Sequence, residues 1–356
     1  MGRREKALAL LHDGTFIPAI PLALDARRCF NPARQRVLLR YYLAAGAGGI
    51  AVAVHTTQFA IRRPDVNLLE PVLRVAAEEI DAWEARSGRT VVRVAGACGP
   101  AEQAQAEARL AAELGYDAVL LSPGGLNALS ESEMVERTRQ VAAVLPVIGF
   151  CLQRAVGGRR FSYDYWRAVA ESEDVVALKC APFDRYQTLD MARACAFSTR
   201  AEKAALYTGN DDNLLIDLLT RYSFPKDGKE VSVRFAGGLL GHWSVWTHTS
   251  ARLFERIRSL RGEKSIPASL LTLAAQITDS NAAIFDAAHN FAGCIPGVHE
   301  VLRRQGLLAG TWCLDPAETL SPGQAEEIDR VCRMYPHLTD DAFVREHLAG
   351  WQAGAV

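Results

Sequence analysis

The chain is poor in lysine. Of its 40 basic residues only six are lysines, at Lys6, Lys179, Lys203, Lys226, Lys229 and Lys264; the rest are arginines. It also lacks an excess of either charge, with 41 acidic residues and a formal net charge of −1. That balance argues against a nucleic-acid or acidic-membrane binder, which needs surplus positive charge. No apolar run reaches the roughly 18 residues a transmembrane helix requires, so no membrane span is expected. The eight cysteines include no C-x-x-C pair, which speaks against a cysteine zinc site and a disulfide framework. Scattered thiols of this kind suit a reduced, cytoplasmic protein. There is no H-E-x-x-H motif, and His242 and His248 have no accompanying carboxylate cluster, so no metal is expected.

At 356 residues and with 49% hydrophobic content, the chain can bury a large core. Short apolar runs alternate with longer amphipathic segments. Strands are expected at Ile17–Leu24, Gly49–Val54, Val91–Ala97, Ala118–Ser122, Val147–Leu152, Val175–Ala181, Ala204–Thr208 and Val231–Ala236. Continuous apolar runs, rather than strict alternation, suit parallel strands covered on both faces. Helices fill the intervals. One begins at Asn31-Pro32, another carries capping-box spacing from Ser130 to Glu133, and Asp212 reads as the cap of a helix running to Tyr222. The N-terminal Arg3-Arg4 superficially suggests an export signal, but the apolar stretch behind it is short and no cleavage site follows, so a short helix is expected.

Eight strands alternating with eight helices are the arithmetic of an α/β protein of the (β/α)8 TIM-barrel type. An open doubly wound sheet would call for a glycine fingerprint after the first strand, and Ala23-Leu-Asp-Ala-Arg-Arg28 has none. The barrel is expected over residues 1–260. Residues 261–356 read as a helical C-terminal extension, packed on the barrel or at a subunit interface.

Lys179 is the lysine out of place. It lies in Val175-Val-Ala-Leu-Lys-Cys-Ala181, near the C-terminal end of the sixth strand, the end at which barrel active sites open. A protonated amine there loses several kcal/mol of solvation. It must pair with a carboxylate, reach water, or lose its proton. A neutral amine can attack a carbonyl and form a Schiff base. A structural lysine paired with an Asp or Glu is the plainer alternative.

Three segments together carry a resemblance. Lys179-Cys-Ala-Pro-Phe-Asp184, His55-Thr-Thr-Gln58 after the second strand, and Tyr207-Thr-Gly-Asn-Asp-Asp212 after the seventh are similar, in order and spacing, to segments of the dihydrodipicolinate synthase/N-acetylneuraminate lyase family. The resemblance covers about residues 14–260. It implies a barrel of class I aldolase chemistry, assembled as a homodimer or homotetramer, acting on pyruvate or another 2-oxo acid without a cofactor. Lys179 would be the imine-forming nucleophile. Thr56 and Thr57 would hold the substrate carboxylate through hydroxyl and backbone donors, and Gly209 and Asn210 would line the far wall.

The departures are as informative. The family's proton-relaying tyrosine in the fifth strand is matched by Phe150, which carries no transferable proton. A further tyrosine pair is matched by Ser122-Pro-Gly-Gly125, and the family's Gly-Glu after the threonines by Gln58-Phe59. The chain is therefore not expected to be dihydrodipicolinate synthase itself. A rebuilt relay has candidates in His55, Tyr207, Ser122 and Cys151. Arg154 follows the fifth strand, where an arginine can take a second carboxylate, and Arg159 or Arg160 could serve instead. The stretch Gly237–His248 reads as an apolar wall or a phosphate cradle, and Trp243, Trp246, Trp312 and Trp351 as packing. The leading expectation is a Schiff-base lyase or aldolase. The alternatives are a catalytically silent barrel that binds a small acid, and a sugar-acid dehydratase using the same imine.

Overall fold

The computed structural model describes residues 1–354. Eight parallel strands with helices between them form a nearly closed barrel, the (β/α)8 architecture, and further helices follow at the C-terminus. The strands are β1 (Phe16–Pro18), β2 (Gly49–Val52), β3 (Val92–Ala97), β4 (Ala118–Leu121), β5 (Val147–Leu152), β6 (Val175–Ala181) and β7 (Ala205–Thr208), then β8 (Arg221–Lys226) and β9 (Lys229–Leu240). β8 is not a barrel strand. It pairs antiparallel with the first half of β9, so that β9 is the eighth stave. No helix is long and apolar enough to cross a membrane, among the described residues.

The chain divides into two compact units, neither contiguous in sequence. The first comprises Met1–Thr15 and Val92–Leu239. In it β3, β4, β5, β6, β7 and β9 lie side by side in that order. Every residue of β3, β4, β5 and β7 is buried, as their unbroken apolar character requires. The register sets Phe150 of β5 beside Lys179 of β6, and Lys179 beside Tyr207 of β7. Side chains alternate across a strand, so these three share one face while Cys151, Cys180 and Thr208 share the other. The N-terminal helix Arg3–Asp13 is tied to the same unit through Arg3, whose guanidinium donates to buried Asp117 at 2.6 Å. Gly237 has no room for a side chain, because a Cβ there would lie 2.3 Å from the Thr15 carbonyl oxygen. That glycine is required by close backbone contact.

The hairpin corrects the sequence reading. The helix expected to reach Tyr222 spans only Leu214–Leu219, with Asn213 and not Asp212 at its cap position. Beyond it, alternation in Arg221-Tyr-Ser-Phe224 has period two, and Asp227 and Gly228 both take positive φ (50° and 74°) at the turn. That is the conformation an Asp-Gly hairpin supplies. The other capping expectations hold: Asn31 accepts from the Arg34 N–H at 3.0 Å, and Ser130 and Glu133 cap each other reciprocally.

The second unit comprises Phe16–Val91 and the chain from Leu240 on. β1 and β2 run parallel within it, bridged at Ala19 and Ala51. Phe16 stacks on Trp243, with ring centroids 3.9 Å apart. Helices Ser269–Ile284, Cys294–Arg304, Gln324–Met334 and Asp341–Gln352 form the extension. Asp340 sews them to the earlier chain. Its buried carboxylate accepts from the Tyr41 hydroxyl (2.8 Å), the His248 N–H (3.0 Å) and the Gln305 amide (2.8 Å). Removing it strands three donors. Asp340→Ala is therefore expected to cost about 2–4 kcal/mol, measured by urea unfolding; a change under about 0.5 kcal/mol would show the hub to be ornamental.

Candidate active site

Lys179 is 8% exposed and projects from β6 with its Nζ 4.4 Å from the centre of the Phe150 ring. Its shape is matched by Gly209, just past β7: a Cβ there would lie 2.4 Å from the Lys179 Cε. The glycine thus makes room for the lysine stem. Among the described residues Nζ has no ion pair and no hydrogen bond. Burial lowers its pKa to about 8, against the opposing pull of the Asp211 carboxylate. The ring face of Phe150 attracts a cation by only about 0.5–2 kcal/mol, less than desolvation takes away. At that value about a tenth of the amine is neutral at pH 7, against well under a thousandth for an ordinary lysine.

The residues around Lys179 divide into those free for chemistry and those already committed. The Tyr207 hydroxyl donates to the Leu11 carbonyl (2.7 Å) and accepts from the Thr15 N–H (3.0 Å). It anchors the N-terminal segment and is not placed to relay protons. Cys151 lies on the opposite face, its thiol pushed up to about 12 by burial. The Ser122 hydroxyl oxygen accepts from the Gly124 N–H at 3.2 Å. Asn210 is fully buried and acts as a brace. Its Oδ1 accepts from the Phe183 N–H, and its amide donates to Thr188 and Asp217. Phe183 needs that brace, since it holds a positive φ of 52°. Asp217, also fully buried, further accepts from Thr208, Tyr222, Arg185 and Asn213.

Arg154 is exposed in a short 3-10 turn after β5 and has no ion pair among the described residues, so its guanidinium is available. Arg159 is not: it donates to the Leu129 carbonyl at 2.6 Å and lies over the Phe161 ring. Arg160 is exposed, and its charge helps to lower the pKa of Asp184.

The threonine segment belongs to the second unit. His55–Thr57 form one 3-10 turn, bracketed by Ala53 and Gln58 at φ 60° and 68°. Non-glycine residues at positive φ carry strain, and two of them flank this short turn. Gln58 stands where the resemblance places a glycine, and keeps a left-handed φ without being one. The Thr56 hydroxyl donates to the Ala19 carbonyl (2.9 Å) and that of Thr57 to the Ile20 carbonyl (2.7 Å). His55 is half-buried, its ring 6.0 Å from that of Phe59. His242 and His248 have separate partners, Asn281 at 2.6 Å and the stacked ring of Phe343.

No protein-family model and no curated protein matches the chain. Solved structures do. Dihydrodipicolinate synthase from Oceanobacillus iheyensis aligns over 94% of this chain and 99% of its own, with TM-score 0.73 and 17% identity. N-acetylneuraminate lyase from Fusobacterium nucleatum aligns over 91% and 99%, with TM-score 0.68 and 15% identity. The chain has the fold of the dihydrodipicolinate synthase/N-acetylneuraminate lyase family. A prophage protein of the dihydrodipicolinic acid synthase family from E. coli, solved in complex with pyruvate, aligns over 91% and 98%, with TM-score 0.70 and 16% identity. At these identities the dihydrodipicolinate synthase-like fold is shared, while the side chains at the strand ends are this chain's own.

Sequence reasoning missed two things here. Asp211, beside the Asp212 that reads as a helix cap, lies within electrostatic reach of Lys179. Asp217 was overlooked; its isolation in the apolar run Leu214-Leu-Ile-Asp-Leu-Leu219 was the available signal.

Two outcomes follow. In the unfolded chain the Lys179 amine keeps its proton up to about pH 10.5, so between about pH 8 and that value the unfolded state holds the extra proton and stability rises with pH. Lys179→Met should flatten this slope and be more stable than the wild type below pH 8 by roughly 3 kcal/mol, read from urea unfolding across the pH range. Tyr207→Phe should cost about 1–3 kcal/mol by leaving the Thr15 N–H unsatisfied and taking one of its two donors from the Leu11 carbonyl, yet leave the reactivity of the Lys179 amine unchanged in a labelling assay.

Proposed function

We propose that the protein is a lyase of class I aldolase type, in which Lys179 condenses with pyruvate or another 2-oxo acid. The observation that carries this is the buried, unpaired amine of Lys179 over Phe150, fitted by Gly209. An amine held that way is nucleophilic near neutral pH. The imine it forms withdraws electrons from the adjacent carbon, so bond cleavage or formation there needs no further electron sink. The fold shared with dihydrodipicolinate synthase and N-acetylneuraminate lyase supports the same reading.

As part of this proposal Thr56 and Thr57 bind the substrate carboxylate. To donate to it, a threonine hydroxyl would give up the carbonyl of Ala19 or Ile20 that it now serves. Arg154, exposed and unpaired, takes a second acidic group. Phe150 is a wall beside the amine. Asn210 keeps the bracing role described above, and Gly209 that of accommodating the lysine.

A second reading draws on Phe150 itself. With no hydroxyl at that position, the barrel would bind a small acid without turning it over. A melting-temperature rise with 2-oxo acids, unaccompanied by adduct, would favour that reading.

Treatment with pyruvate or another 2-oxo acid and borohydride should leave a reduced adduct on the Lys179 peptide, detected by mass. The trapping rate should rise with pH through about 8 as the amine deprotonates. Lys179→Met should give no adduct, and Gly209→Ala one formed about tenfold or more slowly, as the misplaced amine loses its approach. Folded wild-type protein that never yields an adduct with any of a panel of 2-oxo acids would sink the proposal.

A further inference from the structure

A buried N–H with no acceptor is costly, and it can bind a ligand oxygen without giving up another bond in exchange. The threonine turn of the second unit ends in such a group. Gln58 is 4% exposed. Its Oε1 accepts from the Leu314 N–H at 2.6 Å, which fixes the amide, since turning it over would set donor against donor. Its Nε2 is buried and has no hydrogen-bond partner among the described residues.

The turn around it is the complement of an anion. The Gln58 N–H closes the turn on the His55 carbonyl at 2.8 Å, so this side chain leaves the backbone directly after the two threonines. Arg62 folds back onto the same turn, its Nη2 donating to the Ala53 carbonyl at 3.0 Å. From Ala53 to Arg63 the chain holds no acidic residue. The stretch thus gathers two hydroxyls, an amide and a guanidinium, and brings no carboxylate of its own. We propose that Gln58 is a carboxylate-binding residue, its Nε2 donating to the acid while Leu314 of the C-terminal extension holds the amide in place. This rests on the reading of the threonine turn as the carboxylate site for a 2-oxo acid.

The three donors are not equal. For Thr56 or Thr57 to serve the acid, a hydroxyl must leave the carbonyl of Ala19 or Ile20, exchanging one hydrogen bond for another. Gln58 gives up nothing at Nε2, and a hydrogen bond to an ionised carboxylate is stronger than one to a neutral oxygen. A carboxylate has lone pairs enough on its two oxygens for all three. Nε2 is shut from solvent as the turn stands, and the movement that takes the hydroxyls off their carbonyls opens it to the acid. Preference for an acid over its neutral analogue therefore falls chiefly to Gln58.

Lactate and its neutral amide, lactamide, carry no ketone, so their binding reports on this turn without imine formation. Both would be titrated by calorimetry into the full-length wild type, Gln58→Glu and Gln58→Met, with a cooperative melting transition as the check that each is folded. Gln58→Glu keeps an acceptor for the Leu314 N–H and the length of the side chain, but replaces the donor with a negative charge. It is expected to bind lactate about 30-fold or more weakly while its affinity for lactamide changes by less than about threefold. Gln58→Met removes the donor without adding charge, and should weaken lactate by about five- to tenfold. Lactate bound by Gln58→Glu within threefold of wild type overturns the proposal. So does an equal loss for lactate and lactamide in that variant, which is general damage, or wild-type lactate affinity in Gln58→Met, which leaves charge repulsion as the whole effect. A wild type that binds neither compound overturns it too. A wild type that binds lactate through Gln58 in this way, yet never gives a borohydride-trapped adduct at Lys179, removes the imine reading and leaves the role of Gln58 standing.

Discussion

The structure turns on the cost of taking one amine out of water. Lys179 stands in a strand whose neighbours are valine, alanine, leucine and cysteine; it is 8% exposed and, among the described residues, has no carboxylate at contact distance. Desolvation therefore acts on the ammonium almost unopposed, tempered by one aromatic face and by the charge of Asp211. A fold selected for stability alone would fill the position with an aliphatic side chain. Retaining the lysine means carrying an unfavourable term at neutral pH, the usual signature of a group kept for chemistry.

The surroundings make sense against that term. Gly209 gives the stem its channel, Asn210 and Asp217 brace the β6 and β7 loops against each other, and Tyr207 locks the N-terminal segment to the same strands. Polar groups that could have quenched the amine are spent on backbone and on one another. The threonine turn of the second unit shows the same economy of donors, with both hydroxyls given to β1-proximal carbonyls and two strained residues holding its shape.

Much of this was legible in the sequence. The unbroken apolar runs announced parallel strands, and their alternation with amphipathic segments announced the barrel. Lys179 stood out because five of six lysines lie in polar stretches and it does not. The hairpin was misread because the apolar positions of Leu214–Leu219 run without a break into the period-two pattern of Arg221–Phe224, and local periodicity does not say where one stops. The commitment of Tyr207 was invisible for a different reason. Its partners, Leu11 and Thr15, are nearly two hundred residues away in the chain.

By itself the sequence determined the class of fold and the presence of an expensive lysine, since burial patterns and solvation costs are properties of residue type and local spacing. Only the tertiary structure decided what that lysine meets. Strand register chose Phe150 and Tyr207 as its neighbours, and the turn after β7 brought Asp211 within reach of it. Proton affinity depends on distances across the sheet, and those are fixed by packing between segments far apart in sequence.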